Sequence, residues 1–256
     1  MITAFTLPEF LEPMPEKRVQ TLIFFSVFAL QYLFEHVFPE SKKYNDGRNE
    51  IKNVLVGAAN LLLLFIPSAL LVQLLDIVQK NRIGFLQQLS LPFWLNLLLT
   101  ILIMDFAMYW WHRFNHEKNI FWRFHNFHHL DKKMNSTTAL RFHIVELLFS
   151  SFLKGVFYLL MGFSFLPILI YEGLFFIVVV IHHSNIYIST RFDMLYRQVF
   201  SSPLMHRIHH SNIQQETDSN YGSVFSFWDR LFGTYKRSAA GPIVFGVKQG
   251  VGTSKS

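Results

Sequence analysis

No cysteine occurs anywhere in the 256 residues. Its absence excludes a disulfide framework, thiolate zinc sites, iron–sulfur clusters and a haem-thiolate centre in this chain. Charge is scarce as well: 16% of residues are charged and 51% are hydrophobic, whereas soluble domains run near a quarter charged. With a positive mean hydropathy, that deficit points to a lipid environment. No Gly-x-Gly-x-x-Gly run follows a strand-like stretch, so neither a dinucleotide site nor a flavin fingerprint is expected. The first sixteen residues lack a basic start and hold Glu9, Glu12 and Glu16 among Pro8, Pro13 and Pro15. A cleavable signal peptide is therefore not expected.

What the chain does have is long apolar runs, at about 19–38, 54–79, 93–111, 144–161 and 163–183. Each is near or above the roughly 18–20 residues a helix needs to cross the hydrocarbon. The expectation is an all-α integral membrane bundle of four or five spans, one embedded domain over 1–256, with a tight hairpin around Gly162. The net charge of +6 comes from Lys and Arg that flank apolar runs and form no basic stripe, which argues for lipid headgroups and against nucleic acid. With the segment after Trp111 placed inside, the inner loops hold 18 Lys and Arg against 4 outside, Lys154 falling within a span. That bias puts the segment on the cytoplasmic side. The small-residue stretch from Ser238 to Ser256 is expected to end loosely.

Twelve histidines are present, and eleven lie between 112 and 210. His112 and His116 stand at i, i+4; His125, His128 and His129 at i, i+3, i+4; His206, His209 and His210 repeat that second spacing, and His182-His183 ends the last apolar run. On a helix such spacings put rings on one face, and neutral imidazole suits iron, zinc or copper. Solvated or singly packed histidines are the bland alternative, and two His-x-x-His-His boxes beside a His-x-x-x-His make it a poor one. The clusters with one of the His182-His183 pair supply about nine rings, more than a single four- to six-coordinate ion takes, so two ions fit better. Position 120 is Ile, which breaks a zincin motif at His116-Glu117, and no Glu has a His three residues on, as a carboxylate di-iron bundle would require. A bis-histidine haem would want single rings facing each other from separate spans.

Among single residues, Asp105 lies inside the third apolar run and is costly there. It is either an acceptor for a ligand N–H or a structural hydrogen-bond acceptor. Asp76, Lys154 and Glu172 are read as snorkelling or pairing, His36 as structural, and Tyr109, Trp110 and Trp111 as an interfacial belt.

Asp105-x3-Tyr109-Trp-x2-His112-x3-His116, His125-x2-His128-His129, Asn135-Ser-Thr-Thr-Ala-Leu-Arg141, His183-Ser-Asn185, His206-x2-His209-His210, Glu216-Thr-Asp-Ser-Asn-Tyr-Gly222 and Phe227-Trp-Asp-Arg-Leu-Phe-Gly-Thr-Tyr235 together resemble the fatty acid hydroxylase/sterol desaturase superfamily. The resemblance covers roughly 105–235. Within it, the segments after His116 and Asn135 look most similar to alkylglycerol monooxygenase-like and bacterial members. Arg141-Phe-His143 followed by Glu146 looks more like the sterol-modifying branch.

The resemblance implies an O2-dependent membrane oxidoreductase with a cytoplasmic histidine-rich cap holding two iron ions. The implied ligands are His112, His116, His125, His128, His129, His183, His206, His209 and His210, with zinc as a substitute in purified samples. It implies hydroxylation or desaturation of a fatty acyl chain, sterol or ether lipid, with electrons from a separate ferredoxin or small cytochrome and its reductase. His143, His182, Asn185, Asp218, Asn220 and Asp229, with Asp105, are the expected supports of the ligand rings. Lys132, Lys133, Arg191 and Arg197 are the expected docking face for an acidic carrier. The alternative is a membrane metal-binding or transport protein without oxygenase activity, which would want polar residues at mid-membrane on several spans.

Overall fold

A computed structural model of the chain describes residues 15–247; the Glu- and Pro-rich start and the final residues from 248 lie outside it. Eleven helices follow one another, with isolated bridges and no strand among the described residues. They are α1 (Pro15–Val37), α2 (Gly47–Leu63), α3 (Phe65–Lys80), α4 (Phe93–Glu117), α5 (Asn119–His129), α6 (Ile144–Met161), α7 (Phe165–His183), α8 (Thr190–Tyr196), α9 (Pro203–His209), α10 (Gln214–Thr217) and α11 (Phe227–Leu231).

Helices α4, α6 and α7 are each long and apolar enough to cross a membrane, and the α2–α3 pair makes a fourth candidate if taken as one bent span. Among the described residues, three or four crossings are thus supported, four being within the expected range. The run expected at 54–79 is broken at Leu64 by a 50° bend. Pro67 explains the break, since it has no N–H to donate and its ring would collide with the carbonyl of Leu63 in a continuous helix. α1 also carries an apolar stretch over Thr21–Val37. The outer faces carry side chains such as Leu62 (80% exposed) and Phe152 (68%), which belong in hydrocarbon and make this an integral membrane protein.

The hairpin around Gly162 is present. Gly162 caps α6 at φ +71, and Gly84 opposite it lies at φ +90. A Cβ on Gly162 would sit 2.4 Å from the Ile83 carbonyl, and one on Gly84 2.4 Å from the Gly162 nitrogen. Two backbones therefore touch where side chains would hold them apart. Within the bundle Lys154 pairs with Glu172 at 2.7 Å, and Asp76 pairs with Lys80 at 2.8 Å.

At the other end of the spans the chain folds back on itself. Lys118 is extended between α4 and α5 and turns the second helix against the first. Asn135 and Thr138 form a capping box on a short 3-10 turn, Ser136–Leu140, and Asp131 ties it to α2 through Asn53 (2.8 Å) and Thr138 (2.9 Å). Glu35 of α1 accepts from Ser136 and from the Asn185 backbone. Of the segment from Ser238, the part as far as Val247 is described, and the end expected to be loose lies outside the described residues. Val247 N donates to the His129 carbonyl at 3.1 Å, and Phe245 and Val247 are buried.

Gly162→Val should destabilise the detergent-solubilised protein by about 2–3 kcal/mol, through the left-handed φ and the Ile83 clash. Thermal unfolding measures it, and an unchanged Tm would show that the two backbones separate at no cost.

Candidate metal centre

The nine expected ring ligands all converge at one end of the bundle, in two groups. Nitrogens of His112, His116, His125, His129 and His209 lie within 4.8 Å of one another, as do those of His128, His183, His206 and His210. The division cuts through the sequence boxes. On α5, His125 and His129 are one turn apart and share the first group, while His128 points into the second. After α9 begins, His206 and His210 share the second group and His209 enters the first. Each His-x-x-His-His box therefore serves both groups, because i and i+4 lie nearly in register on a helix whereas i+3 lies on the other side of that line. The two groups touch: the His129 and His210 rings stack at 4.3 Å between centroids.

Five rings have one nitrogen committed. Nδ1 of His112 faces the Tyr221 carbonyl (2.8 Å), His128 that of Arg141 (3.1 Å), His183 that of Val179 (2.8 Å) and His209 that of Ser219 (2.7 Å). His125 Nδ1 faces Glu146 Oε1 at 2.8 Å. A carbonyl only accepts, so each of those Nδ1 atoms donates its proton, and a neutral ring then carries its lone pair on Nε2. The Nε2 atoms of His128 and His183 meet at 3.0 Å. Two lone pairs facing each other at that distance repel unless a cation lies between them. A proton is a poor candidate, because burial, with the neighbouring His183 next, holds His128 well below the usual imidazole range. Burial likewise depresses His129, His206 and His210, and takes His209 to about 3 against the Ser219 carbonyl. Among the described residues, His125 and His209 each also have a buried Nε2 without a hydrogen-bond partner, and His129 and His210 have both ring nitrogens so. Neutral rings, aimed lone pairs and unsatisfied buried nitrogens are what a metal site requires.

The residues expected to orient the rings sit differently. Asp105 accepts from the backbone nitrogens of Val224 and Phe225 (both 3.0 Å) and from the Trp228 indole (2.9 Å), so it takes the structural option and anchors the C-terminal loop. Asn185 bonds Ser41 and Asn45, and Asn220 bonds the Met205 and Lys236 backbones; their bonds tie loops together rather than hold rings. Asp218 does approach a ring, 3.7 Å from His116 Nδ1. Asp229 acts one bond removed: it accepts from Tyr221 N (2.7 Å) and Gly222 N (2.9 Å), fixing the peptide whose carbonyl faces His112. His143 caps α6 by accepting from Val145 N, and His182 stacks on His206 at 3.8 Å. Main-chain carbonyls carry no sequence signal, which is why four of the five observed ring partners were not foreseen. Glu146 had a signal in its place three residues after His143. Arg197 is buried against Asp193 and is not available as a docking charge. Tyr109 is fully buried with its hydroxyl 2.9 Å from Thr234, and Trp111 is also buried, so neither belongs to an interfacial belt.

The fatty acid hydroxylase family model matches residues 97–234, more than half of the chain and all nine of these histidines. The chain belongs to the fatty acid hydroxylase family. It is 27% identical to the ornithine lipid hydroxylase OlsE of Rhizobium tropici over 223 residues, which cover 84% of this chain and 66% of that protein. It is 34% identical to the alkylglycerol monooxygenase of Xenopus tropicalis over 152 residues, covering 54% of this chain and 30% of the relative. Lathosterol oxidase of Rattus norvegicus is 27% identical over 154 residues, 57% of this chain and 48% of the relative. The chain thus spans from about a third to about two thirds of the length of these relatives. No solved structure matches it. Membership in this family agrees with the resemblance read from the motifs, and the two histidine groups are ones that could hold metal.

Glu146→Ala should lower metal affinity about 10–100-fold, by freeing the His125 ring and weakening its basicity. Competition with a chelator measures this, and Asn185→Ala, which touches no ring, should change the result much less. Equal effects of the two would mean that Glu146 only braces α6.

Proposed function

We propose that this chain is a non-haem di-iron oxygenase that hydroxylates or desaturates a membrane lipid, using O2 and electrons from a separate carrier. The observation that carries the reading is the pairing of two histidine groups, five and four rings, at the ends of apolar spans in a fatty acid hydroxylase chain. His112, His116, His125, His129 and His209 would hold one iron, and His128, His183, His206 and His210 the other. Iron bound there supplies what side-chain acids and bases lack, the activation of O2 and oxidation of an unactivated C–H bond.

The rest is done by the chain itself. Burial disfavours protonation of the His128, His129, His206, His209 and His210 rings, so their lone pairs stay available at neutral pH. The Tyr221, Ser219, Arg141 and Val179 carbonyls hold the Nδ1 protons and fix ring direction, and Glu146 holds the one on His125. The enclosing loops exclude water, which protects an oxidising centre from side reactions. The lipid reaches the site from the bilayer between spans; fatty acyl chains, sterols and ether lipids are the candidate classes, in keeping with relatives named for ornithine lipid, alkylglycerol and lathosterol. The charge bias of the loops supports a cytoplasmic site, open to a ferredoxin or small cytochrome. A transport reading has no support: the histidines sit at helix ends, and the relatives are lipid-oxidising enzymes.

Protein expressed with added iron should hold about two metals per chain. His209→Ala and His128→Ala, one from each group, should each lose about one, and the double variant both, with lipid- and reductant-dependent O2 uptake falling to background. Elemental analysis and an oxygen electrode decide it. A single metal in the parent, or uptake indifferent to both substitutions, would sink the di-iron reading.

A further inference from the structure

A polar site lies deep in the membrane part of the bundle, and none of the metal-site machinery uses it. Along α6, Ser150, Ser151, Lys154 and Tyr158 form a polar stripe at helical spacing in an otherwise apolar span. The stripe lines a cavity of about 250 Å³ shared with α1, α3 and α7, to which Ser68 and Glu172 also contribute. Lys154 Nζ donates to Glu172 Oε1 at 2.7 Å and the Tyr158 hydroxyl donates to the same oxygen at 3.4 Å. The Lys154 and Glu172 side chains nonetheless stay 20% and 25% accessible. Ser150 and Lys154 also border a second, smaller cavity lined by Met104, Met108 and Trp111 of α4. Trp111 directly precedes His112. Lys154 therefore borders both cavities, and its partner Glu172 borders the larger one.

We propose that the Lys154–Glu172 pair is a binding subsite for a neutral oxygen function of a lipid, a hydroxyl above all. An ion pair bounding an open cavity in hydrocarbon still has donors and acceptors to satisfy. Lys154 spends one of three protons on Glu172, and both described bonds to Glu172 use the same oxygen. A hydroxyl answers both needs at once, accepting from the ammonium and donating to the carboxylate. The pair is already neutral overall, so a carboxylate or amine would bring an uncompensated charge into a low-dielectric setting, where such charges are costly. Depth sets the length of the ligand. Lys154 is eight residues along α6 from Glu146, and Glu172 eleven residues along α7 from His183, so the pair lies about 12–16 Å below the rings at ~1.5 Å per residue. This proposal rests on the lipid-oxygenase reading and names the substrate feature it selects: a hydroxyl separated from the oxidised carbon by an apolar stretch of that length.

The test is photo-crosslinking of the detergent-purified protein with a twelve-carbon alcohol that carries a diazirine beside its hydroxyl, with labelled residues mapped by mass spectrometry. Labelling should fall on residues lining the larger cavity, be competed by excess dodecanol and be competed at least tenfold less well by laurate or dodecylamine. Lys154→Met/Glu172→Met should reduce it at least fivefold with the metal content retained, since replacing a buried pair by apolar side chains of similar volume commonly spares the fold. Ser150→Leu, which leaves the pair in place and narrows both cavities, should reduce it as well. Labelling elsewhere, indifference to both variants, or laurate competing as well as dodecanol would each overturn the proposal and leave the pair as a clamp between α6 and α7. Crosslinking needs no turnover. Normal labelling without lipid-dependent O2 uptake would therefore count against the oxygenase reading alone, and normal uptake with misplaced labelling against the subsite alone.

Discussion

His128, His129, His206, His209 and His210 are buried together, and burial there disfavours the proton that each would otherwise be able to carry. That constraint organises the polar half of the molecule. A neutral ring has one donor and one lone pair, so a partner that can only accept determines where the lone pair goes. Backbone carbonyls at Tyr221, Ser219, Arg141 and Val179 make that choice for four rings, and Glu146 for a fifth. The Val179 carbonyl is set by α7 itself, and the other three are as well placed as the segments that carry them. The loops in turn hang on buried carboxylates, each receiving several donors: Glu35 and Asp131 hold the Asn135 segment, Asp105 and Asp229 the segment around Tyr221. Burial raises Asp229 to about 6, with the Thr234 hydroxyl and the Gly222 and Tyr221 amides pulling the other way. These carboxylates support the site at one remove, through backbone.

The apolar half solves a different problem. With hydrocarbon outside, large side chains such as Leu62 and Phe152 turn outward and cost nothing, so close packing is needed only between helices. The Gly84–Gly162 contact is the tightest instance, and it lies at the far end of α6 from the metal centre. Between the two ends the Lys154–Glu172 pair interrupts the hydrocarbon interior. A protein that needed only a clamp between α6 and α7 could have used leucine, so a charged pair beside open volume is a cost that calls for a ligand.

Much of this was legible in the residues before any coordinates. The all-helical membrane class followed from run lengths and the shortage of charge, and the metal centre from histidine spacing. Span count was less legible, because hydropathy averages across a break such as the one Pro67 makes between α2 and α3. Tyr109 reads as an interface aromatic for the same reason: a window of residues records composition but not which face is covered. Asp105 and Asn185 were read as ring supports because polar side chains near ligands usually are, and their actual partners are more than a hundred residues away in the chain.

Residue order thus determined which side chains are candidates and that two ions suit their number, since helical periodicity is local and the count of imidazoles is chemistry. Sequence alone could not show that His125 and His129 leave His128 for the other group, or that His209 crosses from its neighbours. That partition depends on how α4, α5, α7 and α9 are rotated against each other. Packing sets that rotation through contacts between residues far apart in the chain, and local spacing carries no record of them.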